Sequence, residues 1–193
     1  MSTAPVFSID PRAFWHDPYP TLKAMREQAP IAYVPELDAT LMVKRDDIAL
    51  NEKLIDVFSS VQPGGLMTQL MGQNMMRKDG RDHRAERKAI FPAISPKTVK
   101  AVWRAAFEDM TDRVLDDLAP RKGADMTSDI ARRLAGEALC LVTGLTNMDW
   151  QTMDRVSQAM VDGCANYAGD PAIEAHCLTC VETIDQHVAE RLD

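Results

Sequence analysis

Met75-Met76-Arg77-Lys78-Asp79-Gly80-Arg81-Asp82-His83-Arg84-Ala85-Glu86-Arg87-Lys88 is the stretch on which the fold turns. Asp79-Gly80 reads as a turn, and Asp82 favours a helix N-terminus. His83 and Arg87 then stand at i, i+4 and share one face of the new helix. Two donors pointing the same way suit two carboxylates held side by side, and arginine's planar fork can grip one bidentately. By spacing alone the pair also suits a plain solvated basic face.

Downstream, the pattern is almost entirely helical. Ser95-Pro96 supplies a cap followed by proline at the first helical position. Val99, Val102, Trp103, Phe107, Met110, Val114 and Leu118 form an apolar stripe at helical spacing, closed by Pro120 to Gly123. Thr127 or Ser128 is the expected cap of a helix carrying Ile130, Leu134, Ala138 and Leu141, which Gly144 ends. Thr146 or Asn147 starts the next, with Trp150, Met153, Val156, Met160 and Cys164 inward. Gly169-Asp170-Pro171 opens a last helix, with Ile173, Cys177, Ile184 and Val188 on one face, running to Asp193.

Upstream, Asp17-Pro18-Tyr19-Pro20 predicts a helix start, with Thr21 to Gln28 following and Pro30 ending the element. Ile31 to Val34 and Thr40 to Lys44 read as a β-hairpin joined by Pro35 to Ala39. Arg45 to Phe58 returns to a helical pattern through Ile48, Leu54, Ile55 and Phe58. Pro63-Gly64-Gly65 breaks the chain, and Met67, Met71, Met75 and Met76 follow, four of its 12 methionines. Methionine is flexible and polarizable, so it suits surfaces that adapt to varied apolar shapes; a loop tucked under the fold reads equally well.

Composition sets the outer bounds. The 193 residues are 46% hydrophobic and 26% charged, ordinary for a soluble globular protein. A net charge of -7 argues against nucleic acid or an anionic membrane as default partner. No apolar run approaches the roughly 20 residues that span a bilayer. Met1 to Asp10 lacks a basic segment followed by an apolar core, so no secretory signal is expected. Four cysteines suit a reducing cytoplasm better than a disulfide scaffold.

Order and context give the His83 segment its meaning. From Met75 through Pro92-Ala93 to Ser95-Pro96 it resembles the start of the C helix in bacterial cytochromes P-450. That stretch has a small apolar pair, an Asp-Gly or Asp-Pro turn, His, three residues, Arg, another basic residue, then Pro-Ala. Ile94 departs from it, since the family usually places an aromatic there. The resemblance implies a mainly α fold with a small β-hairpin or sheet, the N-terminal portion of the cytochrome P-450 fold from A to G helix. Residues 1–193 would then be part of one domain: 1–60 with the A and B helices and hairpin, 61–78 as the B–C loop, 79–193 as helices C to G. It implies that His83 and Arg87 bind heme propionates. It also implies that the B–C loop, with Leu66, Met67, Leu70 and Met71, and the F-like helix, with Met160 and Cys164, shape the substrate pocket.

The parent would be a heme (iron protoporphyrin IX) monooxygenase inserting one oxygen atom from O2 into a small apolar or aromatic substrate. Electrons would come from NAD(P)H through a ferredoxin/reductase-type redox partner or a fused reductase. The family's Gly-x-x-Thr, Glu-x-x-Arg and Phe-x-x-Gly-x-x-x-Cys signatures are absent and fall later in its order, so this chain is expected to hold no catalytic or metal-ligating residue and to be inactive alone. Cys140 and Cys164 lack the glycine-rich loop that exposes the family's ligand sulfur. Cys177-Leu178-Thr179-Cys180 is formally a C-x-x-C, but with no second pair of ligands it reads as two buried structural thiols. His16 and His187 stand apart from other candidate ligands. The rival readings are a helical small-molecule-binding module without heme, and a redox or zinc protein built on that C-x-x-C.

Overall fold

The structure, a computed structural model, describes residues 3–192. The expectations for the N-terminus at Met1 and Ser2, and for the last helix at Asp193, fall outside the described residues. The chain divides into two units, Met1–Ser59 and Ser60–Asp193.

The first unit holds three helices and a hairpin: α1 (Pro11–His16), α2 (Tyr19–Gln28), β1 (Ile31–Val34), β2 (Ala39–Met42) and α3 (Arg45–Asn51). The strands pair antiparallel, with Ile31 opposite Met42 and Val34 opposite Ala39. A 3-10 turn, Pro35–Leu37, joins them, and Asp38 adopts a left-handed φ of 45°. The Tyr33 hydroxyl donates to Asp38 Oδ1 at 2.7 Å, across that turn. Met25, Ala32 and Val34 form the core, with Phe7, Leu22 and Leu41 against it. The helix expected over 45–58 stops at Asn51, because its later apolar positions find little cover: Leu54, Ile55 and Phe58 remain exposed. The sequence reading missed α1, which Asp10 caps by accepting from the N–H groups of Arg12 and Ala13.

The second unit contains α4 (Leu66–Met71), a 3-10 turn at Met75–Arg77, α5 (Gly80–Ile94), α6 (Pro96–Thr98), α7 (Arg104–Leu118), α8 (Arg132–Thr143), α9 (Trp150–Cys164) and α10 (Pro171–Leu192). Wide π turns precede α7 and α8. The overall expectation of a mainly helical chain with one small hairpin holds, and three details change. The segment read as a loop over 61–78 carries α4. Asp125 caps the π turn that leads into α8, and Asp149 caps α9, in place of Thr127, Ser128, Thr146 or Asn147. Each aspartate accepts backbone N–H groups two or three residues ahead, the geometry of a helix N-cap. On the apolar stripe from Val99 to Leu118, Met110 and Val114 of α7 are buried, whereas Val99 and Val102 in the preceding π turn stay exposed.

Helices α8, α9 and α10 pack in sequence around Cys140, Met148, Met153, Val156, Ala159 and Cys180. Two glycines set the spacing. A Cβ on Gly136 would lie 2.8 Å from the Trp150 carbonyl oxygen, so α8 and the start of α9 meet at backbone contact. A Cβ on Gly163 would lie 2.6 Å from Cys177 Sγ and 3.0 Å from Leu70 Cδ1. There α4 and α10 both close onto α9.

The end of α5 is fixed from outside. Carbonyls in a helix's last turn have no intrahelical partner. Thr98 Oγ1 donates to the Pro92 carbonyl at 2.6 Å, and Trp103 Nε1 donates to the Ala93 carbonyl at 2.6 Å. Side chains of the next helical segment thereby lock the corner.

Candidate functional site

The site is built on α5. Asp79 stands at the helix N-cap position, but its carboxylate accepts the Ser60 N–H at 2.9 Å. That bond ties the entry of α5 to the start of the unit. Gly80 takes a φ of 56°, a conformation that disfavours a side chain, and turns the chain into the helix. Pro92 sits inside α5 near its end.

His83 and Arg87 fall one turn apart on α5, as the spacing predicts. His83 is half-buried and Arg87 exposed. Among the described residues, neither side chain has a hydrogen-bond or ion-pair partner. Just ahead of α5, Lys78 pairs with Glu86 of that helix, while Arg81, Arg84 and Lys88 on α5 have no ion pair among the described residues. On α8, Arg132 pairs with Asp154, and Arg133 with Asp117 at 2.7 Å and Glu137 at 2.9 Å. What sets His83 and Arg87 apart from the other unpaired cations of α5 is that one is a half-buried imidazole and the other a guanidinium one turn along the same face. Neutral or protonated, the imidazole offers an N–H donor, and the guanidinium offers a fork. This donor set fits a ligand with two carboxylates, such as the propionates of a porphyrin.

The six residues expected at a substrate pocket lie on α4 and α9. Leu66, Met67 and Met71 are half-buried on α4, and Leu70 is almost fully buried, with its Cδ1 at Gly163. Met160 and Cys164 are half-buried on α9, whose innermost positions are instead Met153, Val156, Ala159 and Gly163. Leu70 therefore fastens α4 to α9, and the remaining five carry partly open apolar surface.

None of the four cysteines, all free, is presented as a ligand. Cys140 is buried and donates to the Met148 carbonyl at 3.4 Å; burial, then the charge of Asp149, pushes its thiol up. Burial also raises Cys177, which packs on Gly163. Cys180 is fully buried, with Arg155 Nη1 3.3 Å from its sulfur. Among the described residues, no group of three His, Cys, Asp or Glu is arranged to hold a metal ion, and no helix is long and apolar enough to cross a membrane.

Sequence reasoning found the α5 pair but missed Arg77, whose Nε is buried without a partner. No sequence signal marks such an atom, because its enclosure depends on packing.

No protein-family model matches the chain. Curated proteins do. Pulcherriminic acid synthase of Bacillus subtilis is 19% identical over 187 residues, which cover 95% of this chain and 45% of that protein. Cytochrome P450 130 of Mycobacterium tuberculosis is 24% identical over 169 residues, 80% of this chain and 41% of that protein. The crystal structure of CalO2 superposes with a TM-score of 0.66 at 18% identity, covering 97% of this chain and 49% of its own. The chain thus spans less than half the length of each protein it matches here. It is a relative of the cytochromes P450 and carries the fold of their N-terminal portion.

Proposed function

We propose that this chain supplies the propionate-holding and part of the substrate-lining half of a heme-dependent monooxygenase. The observation that carries the reading is the pair of unpartnered donors, His83 and Arg87, one turn apart on a helix whose ends are fixed by Asp79, Thr98 and Trp103. Bound heme would supply the oxygen chemistry, using NAD(P)H electrons delivered by a ferredoxin/reductase-type partner or fused reductase, to place one atom of O2 in an apolar or aromatic substrate. Arg87 would hold one propionate through its fork, and His83 would donate to the other. Leu66, Met67 and Met71 on α4, with Met160 and Cys164 on α9, would give a substrate apolar, deformable surface, and Leu70 would keep α4 seated on α9.

The test is a titration of the 193-residue protein with iron protoporphyrin IX, followed through its Soret band. Substitution His83→Ala or Arg87→Ala is expected to weaken binding by roughly tenfold, the scale of one charge-assisted hydrogen bond. Binding that is indifferent to both substitutions would favour a helical binding module that does not hold heme through α5.

A further inference from the structure

We infer that Arg77 is a further positioning residue for the carboxylate-bearing ligand assigned to His83 and Arg87, an inference that rests on that assignment. Arg77 ends the 3-10 turn Met75–Arg77, which Asn74 caps by accepting the Met76 N–H at 3.0 Å. The turn packs against α5 and leads into it through Lys78 and Asp79.

Two arginines are half-buried among the described residues, Arg77 and Arg133. Arg133 meets two carboxylates, Asp117 and Glu137. Arg77 meets none, and its Nε is enclosed with no hydrogen-bond partner. A donor withdrawn from water without an acceptor is unfavourable, and buried donors are almost always satisfied; only Nε of Arg77 is in that position, its terminal nitrogens remaining open to solvent. The carboxylate of Glu86 is already paired with Lys78. The missing partner of Arg77 Nε is therefore an acceptor supplied from outside the described residues. A planar carboxylate suits the fork best, and the turn stands beside the helix whose own two donors call for carboxylates.

The experiment compares iron protoporphyrin IX with its dimethyl ester, whose propionates carry no charge, on wild type, Arg77→Gln, Arg77→Lys and Arg87→Gln. Circular dichroism establishes that each variant keeps its helices. Arg77→Gln is expected to bind the diacid roughly tenfold more weakly and the ester unchanged, with Arg77→Lys recovering part of the loss. If Arg87→Gln loses affinity for the diacid and Arg77→Gln does not, the role given to Arg77 is overturned and the reading of α5 stands. If wild type shows no preference for diacid over ester, both fall. Inorganic phosphate that raises the melting temperature of wild type but not of Arg77→Gln, without porphyrin, would mark a small-anion site and overturn the porphyrin assignment.

Discussion

Replacing Gly163 by alanine probes the spacing at which α4, α9 and α10 meet. The new methyl would stand 2.6 Å from Cys177 Sγ, 3.0 Å from Cys177 Cβ and 3.0 Å from Leu70 Cδ1. Ordinary carbon contacts are about 3.5–4.0 Å, so the overlap is roughly 0.9–1.4 Å at Cys177 Sγ and roughly 0.5–1 Å at Leu70 Cδ1. Neither neighbour has room to retreat, since Cys177 is 0% and Leu70 7% exposed. Overpacking of this kind costs about 1–3 kcal/mol, and clashes from two helices at once place it near the upper end. Alanine's better helix propensity returns about 1 kcal/mol. The net expectation is a loss of about 2 kcal/mol, or a fall of roughly 4–8 °C in melting temperature. Far-UV circular dichroism on heating, and urea unfolding, would measure it. Gly123→Ala serves as the control, because nothing lies within 4 Å of a Cβ there. Adding Cys177→Ala to Gly163→Ala should restore part of the loss, a coupling that distant sites do not show. A Gly163→Ala protein as stable as wild type would refute the close three-way contact, and with it the seat of Leu70.

Acid should destabilise the second unit in a defined direction. Asp125, Asp149 and Asp154 are held below the ordinary 3.8, the first by the Ser128 N–H, the second by the Thr152 N–H, the third by Arg132. Groups with depressed folded values contribute stability that is present above their unfolded pKa and lost as pH falls through the folded one. The melting temperature should therefore drop between about pH 5 and pH 2, and Asp154→Asn should flatten that slope; an unchanged slope would remove the Arg132–Asp154 pair from the account. The isolated 193-residue protein should give no red-shifted reduced carbon monoxide complex, because its cysteines are buried or half-buried in helices. That band, in a preparation of confirmed mass, would show that one of them reaches the iron.

Sequence spacing made α5 legible because the helical period is rigid: once Asp79-Gly80 starts the helix, His83 and Arg87 must share a face. The order of helices from α7 to α10 was legible for the same reason. Caps were harder, since Thr127, Ser128, Thr146 and Asn147 are as capable by type as Asp125 and Asp149, and only backbone geometry chooses among them. Helix α4 was hidden because a six-residue helix after Pro63-Gly64-Gly65 has little propensity of its own and is held by Leu70 against Gly163. The same dependence on packing, with the sign reversed, explains the helix that ends at Asn51. Arg77 lay furthest from reach: its type and position look like one more basic surface residue until the enclosure of Nε is seen.

The locked corner after α5 has a mechanical consequence. With a rise of about 1.5 Å per residue, Arg87 stands about 9 Å and His83 about 15 Å along the helix from the carbonyl that Trp103 holds. Treated as a rigid arm pivoting there, a tilt of about 10° would sweep the two donors sideways by about 1.6 and 2.6 Å. Displacements of that size exceed the tolerance of a hydrogen bond. Trp103 stands outside the His83–Arg87 pair, yet by holding the Ala93 carbonyl its indole would set the aim of both proposed donors.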